Sequence, residues 1–173
     1  MDLLTPEQVM RLEEVYALQR AAYHHDLKGE LAAAFPLKRD ALALEEEILG
    51  PEHSYVAGTL HTLAIDLYEN KRYGEAEALF RRALAIHKRT SGEASDDVAS
   101  SYEWLAFVYD DQKQWRKALT YWHDALALRK KYGGGKYYEM SQSLLIYADL
   151  LKVTGRKVRA RATLKRAKMM RGK

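Results

Sequence analysis

Between Leu60 and Leu84 the apolar residues fall into two stripes of helical spacing. Leu60, Leu63, Ala64 and Leu67 stand at i, i+3, i+4 and i+7. Ala76, Leu79, Phe80, Ala83 and Leu84 resume the pattern after a short polar link, Glu69-Asn70-Lys71-Arg72. Each stripe is the buried face of one amphipathic helix, and so short a link folds the second helix back on the first. The unit recurs with a period of 42 residues: Ala41-Leu42, Ala83-Leu84 and Ala125-Leu126 are in phase, as are Gly50, Gly92 and Gly134, and Val56, Val98 and Met140.

Three further columns hold alanine in every repeat: Ala22, Ala64, Ala106 and Ala148; Ala34, Ala76, Ala118 and Ala160; Ala41, Ala83, Ala125 and Ala167. A small residue opposite a large one lets two helix axes approach to about 8–10 Å. The pattern predicts one all-α domain over 1–173, a solenoid of four helix-turn-helix repeats at approximately 6–50, 51–92, 93–134 and 135–171. Gly29 and Gly155 occupy the link position that Lys71 holds in the second repeat, where a left-handed residue ends the first helix.

Thr5, Pro6 and Gln8 supply a capping-box helix start. The first repeat has a degenerate core, with His25 where Leu67 and Tyr109 stand and Lys38 where Phe80 and Trp122 stand. Such departures suit a terminal cap that faces solvent on one side.

Composition narrows the function. Of the residues, 47% are hydrophobic and 30% charged, the balance of an ordinary globular chain. There is no cysteine, which excludes disulfides, thiolate metal sites and a cysteine nucleophile, and fits cytoplasmic residence. No basic leader with an apolar run and no membrane-spanning stretch is visible.

The segments Leu49-Gly50-Pro51-Glu52-His53-Ser54-Tyr55-Val56-Ala57, Leu60 to Leu67, and Tyr73-Gly74-Glu75-Ala76-Glu77-Ala78-Leu79-Phe80-Arg81-Arg82-Ala83-Leu84 resemble the 42-residue tetratricopeptide repeats of the kinesin-light-chain type. The resemblance extends over about the whole chain and is strongest in the second and third repeats. It implies a right-handed superhelix whose first helices line a concave groove that holds peptides. In that family paired asparagines grip the peptide backbone; here the matching pairs are Gln19-Arg20, His61-Thr62, Glu103-Trp104 and Leu145-Ile146.

Carried onto this chain, the groove is lined by Tyr23, by His61, Ile65 and Glu69, and by Glu103, Trp104, Phe107, Asp110 and Asp111. Its centre is aromatic and its edge acidic. Two readings of Trp104 and Phe107 stand side by side: one exposed binding face, or packing against the neighbouring hairpin. Trp115 and Trp122 replace Tyr73 and Phe80 in core columns and are read as packing. The resulting expectation is an adaptor or scaffold that binds a peptide or helix of another protein carrying apolar anchors and basic residues.

An alternative rests on the C-terminus. Residues 152–173 contain ten basic residues, among them Arg156, Lys157, Arg159, Arg161, Lys165 and Arg166, and no acidic one. The net charge of +4 therefore hides a remainder of −6. That asymmetry suits an anionic partner such as nucleic acid or an acidic surface, or simply a charged terminal cap. Self-association through a repeat end is a further option.

Catalytic chemistry finds no foothold. Gly133-Gly134-Gly135 lacks the Lys-Ser/Thr of a phosphate loop and reads as a flexible link between hairpins. The six histidines form no His-Glu-x-x-His motif, His24-His25 reads as a pair pointing apart, and Glu45-Glu46-Glu47 reads as a solvated helix face. No metal, cofactor or catalytic residue is expected.

The register makes a direct prediction. Ala76→Leu or Ala118→Leu forces off-rotamer packing between paired helices and should cost about 1–3 kcal/mol, read as a lowered thermal or denaturant midpoint. Unchanged midpoints in both variants would rule out the register.

Overall fold

The computed structural model describes residues 5–132 and 137–171. These form eight helices and no strand: α1 (Pro6–Leu27), α2 (Leu31–Leu49), α3 (Ser54–Glu69), α4 (Tyr73–Thr90), α5 (Asp96–Asp111), α6 (Trp115–Tyr132), α7 (Tyr137–Val153) and α8 (Lys157–Arg171). The Gly133-Gly134-Gly135 link lies outside the described residues.

Helices pair as hairpins α1–α2, α3–α4, α5–α6 and α7–α8, and each hairpin then packs its second helix on the first helix of the next. This is the expected solenoid. All twelve column alanines are at most 1% exposed, which places the small residues at the closest helix approaches. Phe80 and Trp122, in the same column one repeat apart, are buried in the middle hairpins, each contributing about 1.5–3 kcal/mol of transfer free energy.

The hairpin turns share one device. Gly29, Lys71, Lys113 and Gly155 form a single column, and all four have left-handed backbone, with φ of 73°, 61°, 59° and 78°. Turn closure follows: the amides of Glu30, Arg72, Gln114 and Arg156 donate to the carbonyls of His25, Leu67, Tyr109 and Leu151 at 2.8–2.9 Å. At the start of α1 the capping box is formed, with Gln8 N donating to Thr5 Oγ1 at 3.2 Å and Thr5 N to Gln8 Oε1 at 2.8 Å.

Three readings from the sequence are corrected. Trp115 is 39% exposed at the start of α6; its counterpart Tyr73 packs on Tyr68, whose place in the third repeat is taken by Asp110. Lys38 does not meet open solvent. Its ammonium lies between Asp26 of α1, at 2.7 Å, and Asp66 of α3, so a cation joins the first two hairpins where later repeats use an aromatic ring. Glu45 is not solvated either: it is 5% exposed, whereas Glu46 pairs with Arg82 and the exposed Glu47 with Arg11.

One ammonium against two carboxylates holds only while the cation is present, since breaking a largely desolvated pair strands charge. Lys38→Met should lower unfolding free energy by on the order of 2 kcal/mol at neutral pH. Replacing Asp26 and Asp66 by asparagine in the Lys38→Met background should recover most of that loss, since no charge is then stranded. Denaturant titrations of the single and triple variants check this; an equal loss in both would exclude the charge explanation.

Candidate functional site

The residues expected to line the groove separate into two groups. Tyr23, 63% exposed on α1, stands apart from the rest. His61, Ile65, Glu103, Trp104, Phe107 and Asp110 are half-buried, and Glu69 and Asp111 are exposed at the ends of α3 and α5.

Trp104 and Phe107 belong to a continuous aromatic seam. Trp104 stacks on Phe80 with centroids 5.6 Å apart and planes 15° from parallel, and it meets His61 and Tyr68 edge-on at 6.2 and 5.6 Å. Phe107 continues the seam to Trp122 at 5.1 Å. These rings tie α3, α4, α5 and α6 together, so much of their surface is spent on packing. At the acidic edge, burial and then Asp111 push the Asp110 carboxyl up, while burial and the Asp111 carboxylate hold the Tyr68 phenol protonated.

Glu103 is also engaged. Arg129 of α6 donates to it from Nε at 3.3 Å and Nη2 at 3.1 Å, and Ser143 of α7 donates at 3.3 Å. This contact is one member of a polar column that the repeat carries through the solenoid. Gln19, His61 and Glu103 share a register position, as do Glu45, His87 and Arg129, and Thr59, Ser101 and Ser143. Taken junction by junction these columns give three trios, Gln19, Glu45 and Thr59, then His61, His87 and Ser101, then Glu103, Arg129 and Ser143, each where a second helix packs on two first helices.

The three trios differ in charge. In the third, Arg129 and Glu103 compensate each other. In the second, His87 Nδ1 lies 3.1 Å from Ser101 Oγ, and the rings of His61 and His87 are 6.3 Å apart. Burial lowers the basicity of both, and for His61, with the neighbouring His87 adding to it, the pKa falls to about 4. In the first, Gln19 Nε2 donates to Glu45 Oε1 at 2.7 Å. Burial pushes the Glu45 carboxyl up, the nearby Thr59 hydroxyl and the Gln19 amide offset part of this, and Glu45 Oε2 has no hydrogen-bond partner among the described residues.

That first trio lies beside a cleft. Side chains bridge α3 to α5 through His61 and Trp104, and α5 to α7 through Ser143 and Glu103. Among the described residues no hydrogen bond or ring contact joins α1 to α3 directly, and a cavity of about 720 Å³ opens between them. Its walls are Leu12, Val15 and Tyr16 of α1 and Gly58, Thr59 and Leu63 of α3; its floor is Lys38, Ala41 and Glu45 of α2. Tyr16, Tyr23 and Tyr55 stand at its rim, 55%, 63% and 69% exposed.

Of the groove residues expected from the sequence, only Tyr23 lines this cleft. A polar Glu45 inside the stripe Ala41, Glu45, Ile48 is the signal that marks it in the sequence. The six basic residues Arg156, Lys157, Arg159, Arg161, Lys165 and Arg166 are all exposed on or just before α8 and make no ion pair among the described residues.

The neutral, buried His61 sets a pH response. Its folded pKa of about 4 lies below the ordinary 6.5, so between those values the unfolded chain binds a proton that the folded chain refuses. Stability should therefore fall by on the order of 2 kcal/mol as pH drops through that window. His61→Phe should flatten this part of the profile in denaturant unfolding; an unchanged slope would contradict it.

Two tetratricopeptide repeat family models match the chain, over residues 56–97 and 97–170. Among solved structures, that of BtubC (BKLC) from P. vanneervenii superposes with a TM-score of 0.84 at 26% identity. The match covers 91% of this chain and 63% of that one, so the chain spans less than two thirds of that relative's length. A putative kinesin light chain of nearly identical repeats from P. anserina superposes with a TM-score of 0.74 at 20% identity, covering 91% and 74% of the two chains. The apo form of RapI gives 0.79 at 16% identity, covering 92% and 43%. No curated protein matches in sequence. Period, turn geometry and these matches agree, and the chain belongs to the tetratricopeptide repeat family.

Proposed function

We propose that this chain is an adaptor or scaffold that binds a segment of a partner protein in the groove formed by its first helices, with the α1–α3 cleft as the main contact. Tetratricopeptide repeats generally mediate contacts between proteins, and their fold is typically a non-catalytic scaffold. The observation that carries the reading is the unfilled cleft of about 720 Å³ rimmed by three exposed tyrosines. Aromatic side chains with one face free supply much contact area at little entropic cost, and cavities of this size suit ligand side chains. The half-buried edges of Trp104 and Phe107 and the acids Glu69, Asp110 and Asp111 extend the same face toward the third hairpin.

A second reading draws on one specific observation, the six exposed basic side chains of the C-terminal hairpin that make no ion pair among the described residues. They form a surface for an anionic partner, nucleic acid or an acidic protein face, held mainly by charge. Among the described residues no helix is long and apolar enough to cross a membrane.

Affinity capture from source-cell lysate, with and without nuclease, separates the two. The intact chain should retain a protein that survives nuclease and is lost with Tyr16→Ser/Tyr55→Ser, a rim variant that leaves the melting midpoint unchanged. The expected loss is about tenfold or more. Recovery of nucleic acid, or of partners released by nuclease and indifferent to the rim, would transfer the function to α8.

A further inference from the structure

We propose that the α1–α3 cleft receives one lysine or arginine side chain of a partner peptide, its cation meeting Glu45 on the floor and its aliphatic stem lying against Leu12, Val15 and Leu63. The inference rests on the groove reading above and adds the chemistry of the partner.

Comparison of the three equivalent trios leads to it. Where the third repeat places the carboxylate of Glu103, it also places the guanidinium of Arg129, and the second repeat avoids charge with two histidines. The first repeat keeps a carboxylate, Glu45, and offers it the amide of Gln19 and the nearby Thr59 hydroxyl but no cation. Glu45 is 5% exposed, its Oε2 has no hydrogen-bond partner, and it lines the cavity. A buried carboxylate oxygen without a donor is costly, and the cost is relieved by a donor brought from outside.

The wider balance has the same sign. The carboxyl groups of Glu45 and Asp26 line the cleft, with Asp66 on the far side of Lys38, against the single ammonium of Lys38 and the imidazole of His53. Lys38 is already held by both aspartates, and Asp26 Oδ1 is a second buried oxygen without a partner. The junction is therefore short of positive charge, and a neutral or acidic occupant would leave it so.

The walls decide what carries the cation. Leu12, Val15 and Leu63 are apolar, which suits a methylene stem and disfavours a bare hydrated ion. A volume of about 720 Å³ exceeds what one side chain fills, leaving room for its peptide neighbours. Tyr16 and Tyr55, on opposite walls, can hold those neighbours or stack on a guanidinium.

The test uses short random peptides displayed on phage, selected on the full chain, with the strongest binders then synthesised. Selected sequences should share a lysine or arginine beside an apolar residue. Replacing that residue by norleucine should weaken binding about tenfold or more. Glu45→Gln should do the same, and the two changes together should cost no more than either alone. Should Glu45→Gln melt early, the norleucine peptide, which leaves the protein untouched, decides the matter. Peptides that need Tyr16 and Tyr55 but carry no basic residue, or that ignore both substitutions, would overturn the inference and leave the groove reading standing. Failure to retain any peptide would overturn both.

Discussion

Close approach of paired helices through alanine is the constraint on which the rest of the molecule depends. Twelve alanines at three register positions, each at most 1% exposed, let the backbones of successive helices come near enough for large residues from the other side to fill the space. Because the same small residues recur every repeat, each hairpin presents the next with an equivalent surface, and stacking continues by local contacts alone. The left-handed column Gly29, Lys71, Lys113 and Gly155 then closes every hairpin with the same hydrogen-bonded turn. Lysine takes this conformation in the middle repeats because the turn's hydrogen bonds outweigh a steric cost of about 1–2 kcal/mol.

A repeat also multiplies its exceptions. The position held by Glu45, His87 and Arg129 faces the junction between hairpins in every repeat, and each junction solves the problem of a buried polar group differently. An ion pair closes the third, neutral rings and a serine close the second, and the first has a carboxylate with one oxygen unanswered. The aromatic seam from His61 through Trp104 to Trp122 reinforces the closed middle of the solenoid. In the first hairpin Lys38 replaces the aromatic of Phe80 and Trp122 and binds Asp26 and Asp66 instead, while Tyr23, in the column of Phe107, stands exposed. The open cleft and the charged bridge are thus two results of one substitution pattern, and both fall at the junction whose core departs most from the others.

The sequence by itself determined the class of fold, the hairpin count, the turn positions and the face each helix buries, because those follow from a periodicity that any single repeat already displays. It also marked α8 as the basic end and Trp104 and Phe107 as residues off the main stripe. What it could not order was the groove. Whether Trp104 lies open depends on how Phe80 and Tyr68 of the preceding hairpin stack on it. Likewise Glu45 reads as one of three solvated glutamates until α1 is laid across it, since burial at a junction belongs to three helices at once and not to the one that carries the residue. Only the tertiary structure placed the cleft at the first junction, because a gap between α1 and α3 is set by the side chains absent from both walls and the floor together, a property no single stretch of sequence holds.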